Sequence, residues 1–203
     1  MPMNKLEQIK EGSKVEFLPI LSDECERVLL DIMKDEKPKE ILEIGTCVGY
    51  SSTKMLLASD AHIDTIEIDE NRRNEAIEVW KEYNVYDRVT SYLGDVNDIL
   101  TNVVKDKVYD FIFIDGPKSR YLEHLKIVMP HIRKDGIILA DDVLFFGLVN
   151  GDEWVPHKHR TIVTHLREFM KYIKSCDELD VKIIDEGNGI AVMRRKSWRE
   201  LSY

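Results

Sequence analysis

Only three cysteines occur in 203 residues, Cys25, Cys47 and Cys176, far apart and with no Cys-x-x-Cys pair among them. Neither a disulfide framework nor a zinc site is therefore suggested, and a reducing, cytoplasmic setting is the expectation. Long apolar runs are also missing. The longest charge-free apolar stretch, Val143 to Val149, falls far short of the ~20 residues that a membrane span needs, so no membrane partner is expected. The start, Met1-Pro2-Met3-Asn4-Lys5-Leu6-Glu7, goes straight into mixed charge without the apolar segment of a secretory signal. No repeat, low-complexity tract or Pro/Gly/Ser-rich linker interrupts the chain. Neither Gly-x-Gly-x-x-Gly nor Gly-Lys-Ser/Thr is found, which weakens the dinucleotide and phosphate-loop readings.

What is present is 43% hydrophobic and 33% charged residues, the balance of a well-solvated globular protein. Length favours a single domain over 1–203, with a helical lead-in to residue 35, a core over 36–193 and a basic tail over 194–203. The net charge of −9 opposes broad electrostatic capture of nucleic acid. Yet the charge is segregated: residues 157–174 carry +4, and Arg194, Arg195, Lys196 and Arg199 another +4, leaving −17 elsewhere. Those two segments are either phosphate contacts or a solvated helix face and a basic tail.

Short β-branched runs alternate with amphipathic stretches. Glu40–Ile44, Ile63–Ile68, Val89–Leu93, Asp110–Ile114 and Gly136–Ala140 read as strands, several apolar enough to be buried on both faces. Ser51–Ala58, Asn71–Tyr83, Asn97–Val104 and Arg120–His131 read as the helices between them, an α/β fold with a mostly parallel sheet. Ahead of the sheet, Leu21–Met33 reads as a helix capped by Ser22 or Asp23, after a leading helix and loop over 1–20. Val181–Ile184 and Ile190–Met193 flank a turn-rich connection ending in Asn188-Gly189, so a C-terminal hairpin brings one antiparallel strand to the sheet.

In open α/β sheets ligands sit beyond the carboxyl ends of the strands. The first such loop is Glu43-Ile44-Gly45-Thr46-Cys47-Val48-Gly49-Tyr50-Ser51, where two glycines four apart permit a tight turn and a close ligand approach. Glu67 ends the second strand, where a carboxylate can accept both ribose hydroxyls of an adenosine ligand. Gly94-Asp95, after the third strand, would border the adenine.

Asp115 follows the fourth strand, and Asp141 and Asp142 follow the fifth. Three buried carboxylates at one point repel one another, which favours a divalent cation among them, Mg²⁺ or another oxygen-seeking ion such as Mn²⁺ or Ca²⁺. The other reading is that Asp141 or Asp142 caps the next segment. Lys118, three residues past Asp115, can face the same point, where a cation would lower its pKa and make it a usable base.

Four stretches in order, Leu42-Glu43-Ile44-Gly45-Thr46 with Gly49-Tyr50-Ser51, Thr65-Ile66-Glu67-Ile68, Asp115-Gly116-Pro117-Lys118-Ser119-Arg120-Tyr121, and Leu139-Ala140-Asp141-Asp142-Val143-Leu144, carry a resemblance over about residues 18–193. The chain resembles the class I, metal-dependent O-methyltransferases that use S-adenosylmethionine, the group of catechol and caffeoyl-CoA O-methyltransferases. The resemblance implies a Rossmann-like, seven-stranded, mostly parallel sheet with helices on both faces. It implies cofactor contacts from Glu43, Gly45, Thr46, Gly49, Tyr50, Ser51 and Asp115, ribose on Glu67, and adenine near Gly94, Asp95 and Arg120. It further implies metal on Asp115, Asp141 and Asp142, Lys118 as general base, and a homodimer. Where the family usually has Asp-Asn, this chain has Asp141-Asp142.

Such a site suits acceptors with two adjacent oxygens that chelate the cation, which includes catechols and 5-hydroxyuridine. Leu18-Pro19-Ile20-Leu21 and Asp142–Val149 resemble bacterial tRNA 5-hydroxyuridine methyltransferases, so the expected acceptor is the wobble base in the tRNA anticodon region, with Lys158, His159 and Arg160 on phosphates. The alternatives are small catechol or caffeoyl-type phenols and, in another class, a non-catalytic S-adenosylmethionine-binding module, which loss of Lys118 or the acids would have favoured. Phe146 and Trp154 would stack on an acceptor ring or pack against neighbours.

Overall fold

A computed structural model describes residues 3–16, 20–151 and 154–196. Leu18 and Pro19 of the resemblance, and Arg199 of the basic tail, lie outside them. The chain divides into two compact units, Met1–Ile99 and Leu100–Tyr203. Seven strands occur among the described residues, three in the first unit and four in the second.

In the first unit the elements are α1 (Lys5–Glu16), α2 (Asp23–Glu36), β1 (Glu40–Ile44), α3 (Tyr50–Ala58), β2 (His62–Glu67), α4 (Glu70–Glu82) and β3 (Val89–Leu93). β1 pairs in parallel with β2, and β2 with β3. Ile41, Leu42 and Ile44 of β1 and Ile63 of β2 are fully buried, beside the buried polar Glu43, Asp64 and Thr65 of the same strands. Ser22 caps α2 by accepting from Cys25 N at 3.1 Å, and Lys37 closes it in the left-handed conformation with its amide on Met33 O. Asp69 caps α4 through Asn71 N and Arg72 N. α2 and α4 thus begin where a short polar side chain satisfies amides that have no intrahelical acceptor.

The second unit holds β4 (Tyr109–Ile114), α6 (Tyr121–Val128), β5 (Ile132–Ala140), α7 (Arg160–Ser175), β6 (Leu179–Ile184) and β7 (Ile190–Arg195), after α5 (Val96–Asn102). β4 and β5 are parallel, whereas β7 runs antiparallel to both β5 and β6. The hairpin therefore inserts its second strand next to β5, and β7 alone runs opposite to β4, β5 and β6. β5 begins at Ile132, four residues before the expected start at Gly136, because the exposed Arg133-Lys134-Asp135 interrupts the apolar signal. β7 reaches Arg195, so Arg194 and Arg195 belong to a strand: Arg195 donates to Met129 O and Ile132 O, and Arg194 to Asp135 O. α7 buries Val163, Leu166, Phe169, Met170 and Ile173 along one stripe and turns its basic residues to the other side. No helix among the described residues is long and apolar enough to cross a membrane.

Candidate active site

In the first unit the chain leaves β1 through Gly45 (φ +99) and enters α3 at Gly49 (φ +76). Gly45 N and Thr46 N donate to Ile66 O on β2, fastening the loop to the neighbouring strand. Beneath it lies a buried polar chain. Ser51 Oγ donates to Glu43 Oε1, Thr65 Oγ1 donates to Glu43 Oε2 at 2.6 Å, and Thr46 Oγ1 lies 2.5 Å from Thr65 Oγ1. The single proton of Thr65 goes to Glu43, so Thr46 is the donor in the last contact. Burial pushes the Glu43 carboxyl up to about 7, against the opposing hydrogen bonds of Ser51 and Thr65. Glu43 and Ser51, expected as cofactor contacts, are thus bonded directly, and Thr46 joins them through Thr65.

Glu67 is buried and aimed by three backbone amides: Oε1 accepts from Ile68 N and Asp69 N at 2.9 Å each, and Oε2 from Cys47 N at 2.8 Å. Oε1 is filled, and Oε2 keeps one lone pair. Glu67 therefore has room for one ribose hydroxyl, not two, without displacing a protein bond.

Gly49 has a packing role. A Cβ there would lie 2.9 Å from Ala76 Cβ and 3.0 Å from Trp80 Nε1, so α3 and α4 meet at this glycine. Gly49→Ala, which also strains φ, should cost roughly 2 kcal/mol, read as a lower denaturant midpoint at unchanged slope.

Tyr50 turns away from the loop. Its hydroxyl donates to Glu26 Oε2 on α2 at 2.7 Å, and Lys10 and Lys54 flank the same carboxylate at 2.7 Å each. Burial opposes ionisation there, but the bonds from Lys10, Lys54 and Tyr50 hold Glu26 down at about 2. Sequence reasoning missed Glu26 because it pairs with residues 16, 24 and 28 positions away. Asp95 accepts from Asn97 N at 2.9 Å and caps α5, and Gly94 N donates to Glu67 O.

In the second unit the acids gather on Lys118. Its Nζ is 2.9 Å from Asp142 Oδ2 and 3.9 Å from Asp115 Oδ1. Asp141 Oδ1 accepts from Asp142 N at 2.8 Å. Burial pushes the Lys118 ammonium down, but Asp115, Asp142 and Asp141 outweigh it, and its pKa is raised. The expected lowering belongs to a bound cation; in the polypeptide by itself Lys118 is the cation among the carboxylates. Among the described residues no three His, Cys, Asp or Glu side chains stand in a metal-holding group. The donor set nonetheless fits a hard divalent cation, since all three acids supply oxygen and their charge already attracts a positive group.

Arg120 forms a two-point pair with Glu123, at 2.9 and 3.2 Å. Of the basic stretch, Lys158 and Arg160 are exposed, whereas His159 stacks edge-on against Phe145 with centroids 5.4 Å apart. Phe146 and Trp154 are 69% and 74% exposed, and the Phe146 ring packs edge-on against its neighbour Phe145 with centroids 5.0 Å apart, one of the options that the sequence left.

A family model described as O-methyltransferase matches residues 3–196. The chain belongs to this O-methyltransferase family. The enzyme is 28% identical over 176 residues to a caffeoyl-CoA O-methyltransferase of Populus kitakamiensis, covering 83% of this chain and 75% of the relative. Among solved structures it matches a Staphylococcus aureus protein provisionally named caffeoyl-CoA O-methyltransferase, at 26% identity and TM-score 0.87, over 95% of this chain and 93% of that one. It also shares its fold with a Bacillus cereus O-methyltransferase solved with S-adenosylhomocysteine, at 23% identity and TM-score 0.81, over 97% and 93% of the two chains. These matches carry the seven-stranded methyltransferase fold and the methyltransferase activity.

Proposed function

We propose that this O-methyltransferase moves the methyl group of S-adenosylmethionine to one hydroxyl of a small phenol bearing two adjacent ring oxygens, a catechol or caffeoyl-type acceptor. The observation that carries the reading is Lys118 Nζ held among Asp115, Asp141 and Asp142 in a chain of this family. The caffeoyl-CoA enzyme among its relatives supports the phenol, and the neighbour solved with S-adenosylhomocysteine, the spent form of the cofactor, supports the methyl donor.

The loop from Gly45 to Ser51 and the open lone pair of Glu67 would receive the cofactor. Asp115, Asp141 and Asp142 would hold Mg²⁺ or a similar cation. Bound there, it supplies a Lewis acid that lowers the pKa of the acceptor hydroxyl and fixes its two oxygens. Lys118 Nζ takes the hydroxyl proton. The bound cofactor would supply the sulfonium methyl, whose bond to sulfur would break as the bond to the freed oxygen forms, leaving S-adenosylhomocysteine. Lys118 accepts a proton only in its neutral form, so drawing the three carboxylates toward another cation brings it back toward the range of a base.

A second reading places 5-hydroxyuridine of tRNA in the acceptor role and draws on the exposed Lys158, Arg160, Lys171 and Lys174. It has less behind it. His159 packs on Phe145, Arg167 bonds loop carbonyls, and the net charge is −9.

The test offers labelled S-adenosylmethionine and Mg²⁺ with a catechol panel in one arm and 5-hydroxyuridine-containing tRNA in the other. Label in catechols that disappears with EDTA is the expected result. Label only in tRNA, digesting to 5-methoxyuridine, would move the acceptor to RNA, and EDTA-resistant transfer would remove the cation from the scheme.

A further inference from the structure

The loop over residues 142–151 holds three non-glycine residues in the left-handed region, Asp142 (φ +56), Phe145 (φ +41) and Phe146 (φ +57). Each is unfavourable for a residue with a side chain, and three within five positions persist only where surrounding bonds over-determine them.

Two sets of bonds do so. At the front, Val143 N donates to Gly189 O at 2.9 Å, and Leu144 N and Phe145 N donate to Asn188 O at 2.8 and 3.1 Å. This ties the loop to the β6–β7 turn. Gly189 is itself left-handed (φ +83), and a Cβ on it would overlap Leu144 Cγ and sit 2.7 Å from Leu144 Cβ. At the rear, Arg167 of α7 donates from Nε to Val149 O at 3.2 Å and from Nη2 to Leu148 O at 3.1 Å and Gly151 O at 2.5 Å. Between the two, the loop closes on itself through Leu148 N to Phe145 O and Val149 N to Leu144 O. Bonds thus connect 148–151 to Leu144 and Phe145, two and three residues past Asp142, whose carboxylate lies 2.9 Å from Lys118 Nζ.

We infer that Arg167 is a positioning residue for Asp142, the rear clamp of a loop whose front clamp is the turn at Asn188-Gly189. Its place in the basic stretch suggests a phosphate contact, but its guanidinium faces three carbonyls of its own chain. A planar fork of N–H groups can hold carbonyls at several angles at once. A lysine ammonium on a flexible stem cannot reproduce that set, so charge and clamp are separable by substitution. The inference rests on reading the acid cluster as the acceptor site, and its test does not depend on finding the acceptor.

Arg167→Lys and Arg167→Met are compared with the unaltered full-length chain. Amide hydrogen exchange of the protein alone should speed up by about tenfold at Leu148 and Val149 in both variants, the order expected when charge-assisted bonds that hold a loop are lost, with β1 and β2 amides unchanged. Mg²⁺ titrated calorimetrically should bind more weakly to both, and kcat/KM for a catechol should fall about tenfold while the Kd for S-adenosylmethionine stays within about twofold. Exchange at Leu148 and Val149 left at the wild-type rate in Arg167→Met would overturn the clamp. So would an Arg167→Lys variant with wild-type exchange and Mg²⁺ affinity, because charge alone would then suffice. Should the unaltered chain methylate no phenol, the acceptor assignment fails, and the exchange rates still decide on Arg167.

Discussion

Lys118→Met should lower methyl transfer by about 10³-fold while leaving the Kd for S-adenosylmethionine unchanged, the loss expected when a positioned general base is removed. The same substitution should tighten Mg²⁺ binding. Lys118 Nζ sits 2.9 Å from Asp142 and 3.9 Å from Asp115, so a divalent cation competes with a resident ammonium for the same carboxylates. A unit charge removed from about 4 Å counts for several kcal/mol at most near a protein surface, and the side chain is partly solvated, so a gain of about tenfold in Mg²⁺ affinity is the expected size. Calorimetric titration of both proteins checks it. A variant that lost catalysis and Mg²⁺ affinity together would show that Lys118 builds the acid site instead of competing for it. One that kept its rate would end its role as base.

Glu43→Gln should flatten the pH dependence of stability between about pH 4.5 and 7 and make the protein more stable at pH 8. Glu43 is fully buried, and its carboxyl is raised from 4.5 to about 7. An acid whose folded pKa is raised stabilises the fold while protonated in both states, below 4.5. That contribution is lost as pH rises through 4.5 toward 7, because the unfolded chain releases the proton first. A separation of this size corresponds to about 3 kcal/mol, an order-of-magnitude figure. Glutamine keeps an acceptor oxygen for one of the two hydroxyls, Ser51 or Thr65, and turns an NH2 to the other, whose oxygen can accept from it, without the charge. Chemical denaturation at pH 5 and pH 8 checks it: the wild type should lose stability between them, and the variant should change little. Equal slopes in the two proteins would mean that Glu43 does not set the trend.

The assignments that survived from sequence to structure share one physical property, which is that their signals are local. β1 and β3 run over the expected residues because apolar and β-branched runs bounded by polar turns encode their own ends. Ser22 caps α2 because a short side chain reaches an amide three residues on. The hairpin at Asn188-Gly189 was legible for the same reason, and so was the order of the strand-end loops carrying Glu43, Glu67, Asp115, Asp141 and Asp142. That ordered set was enough for the family resemblance.

Tertiary structure decided what depends on partners distant in the chain and on burial. Gly49 is needed because Ala76 and Trp80 of α4 press against it, a fact written 27 and 31 residues downstream. Tyr50 belongs to Glu26, Arg167 to the carbonyls at 148–151, and Val143 to a turn 46 residues away; no periodicity within either segment signals those pairings. The charge states follow the same division. Composition shows that Glu43 and Lys118 can titrate, but only the fold says that one is stripped of water under a loop and the other ringed by carboxylates, and the balance of desolvation against neighbouring charge fixes the direction each pKa moves.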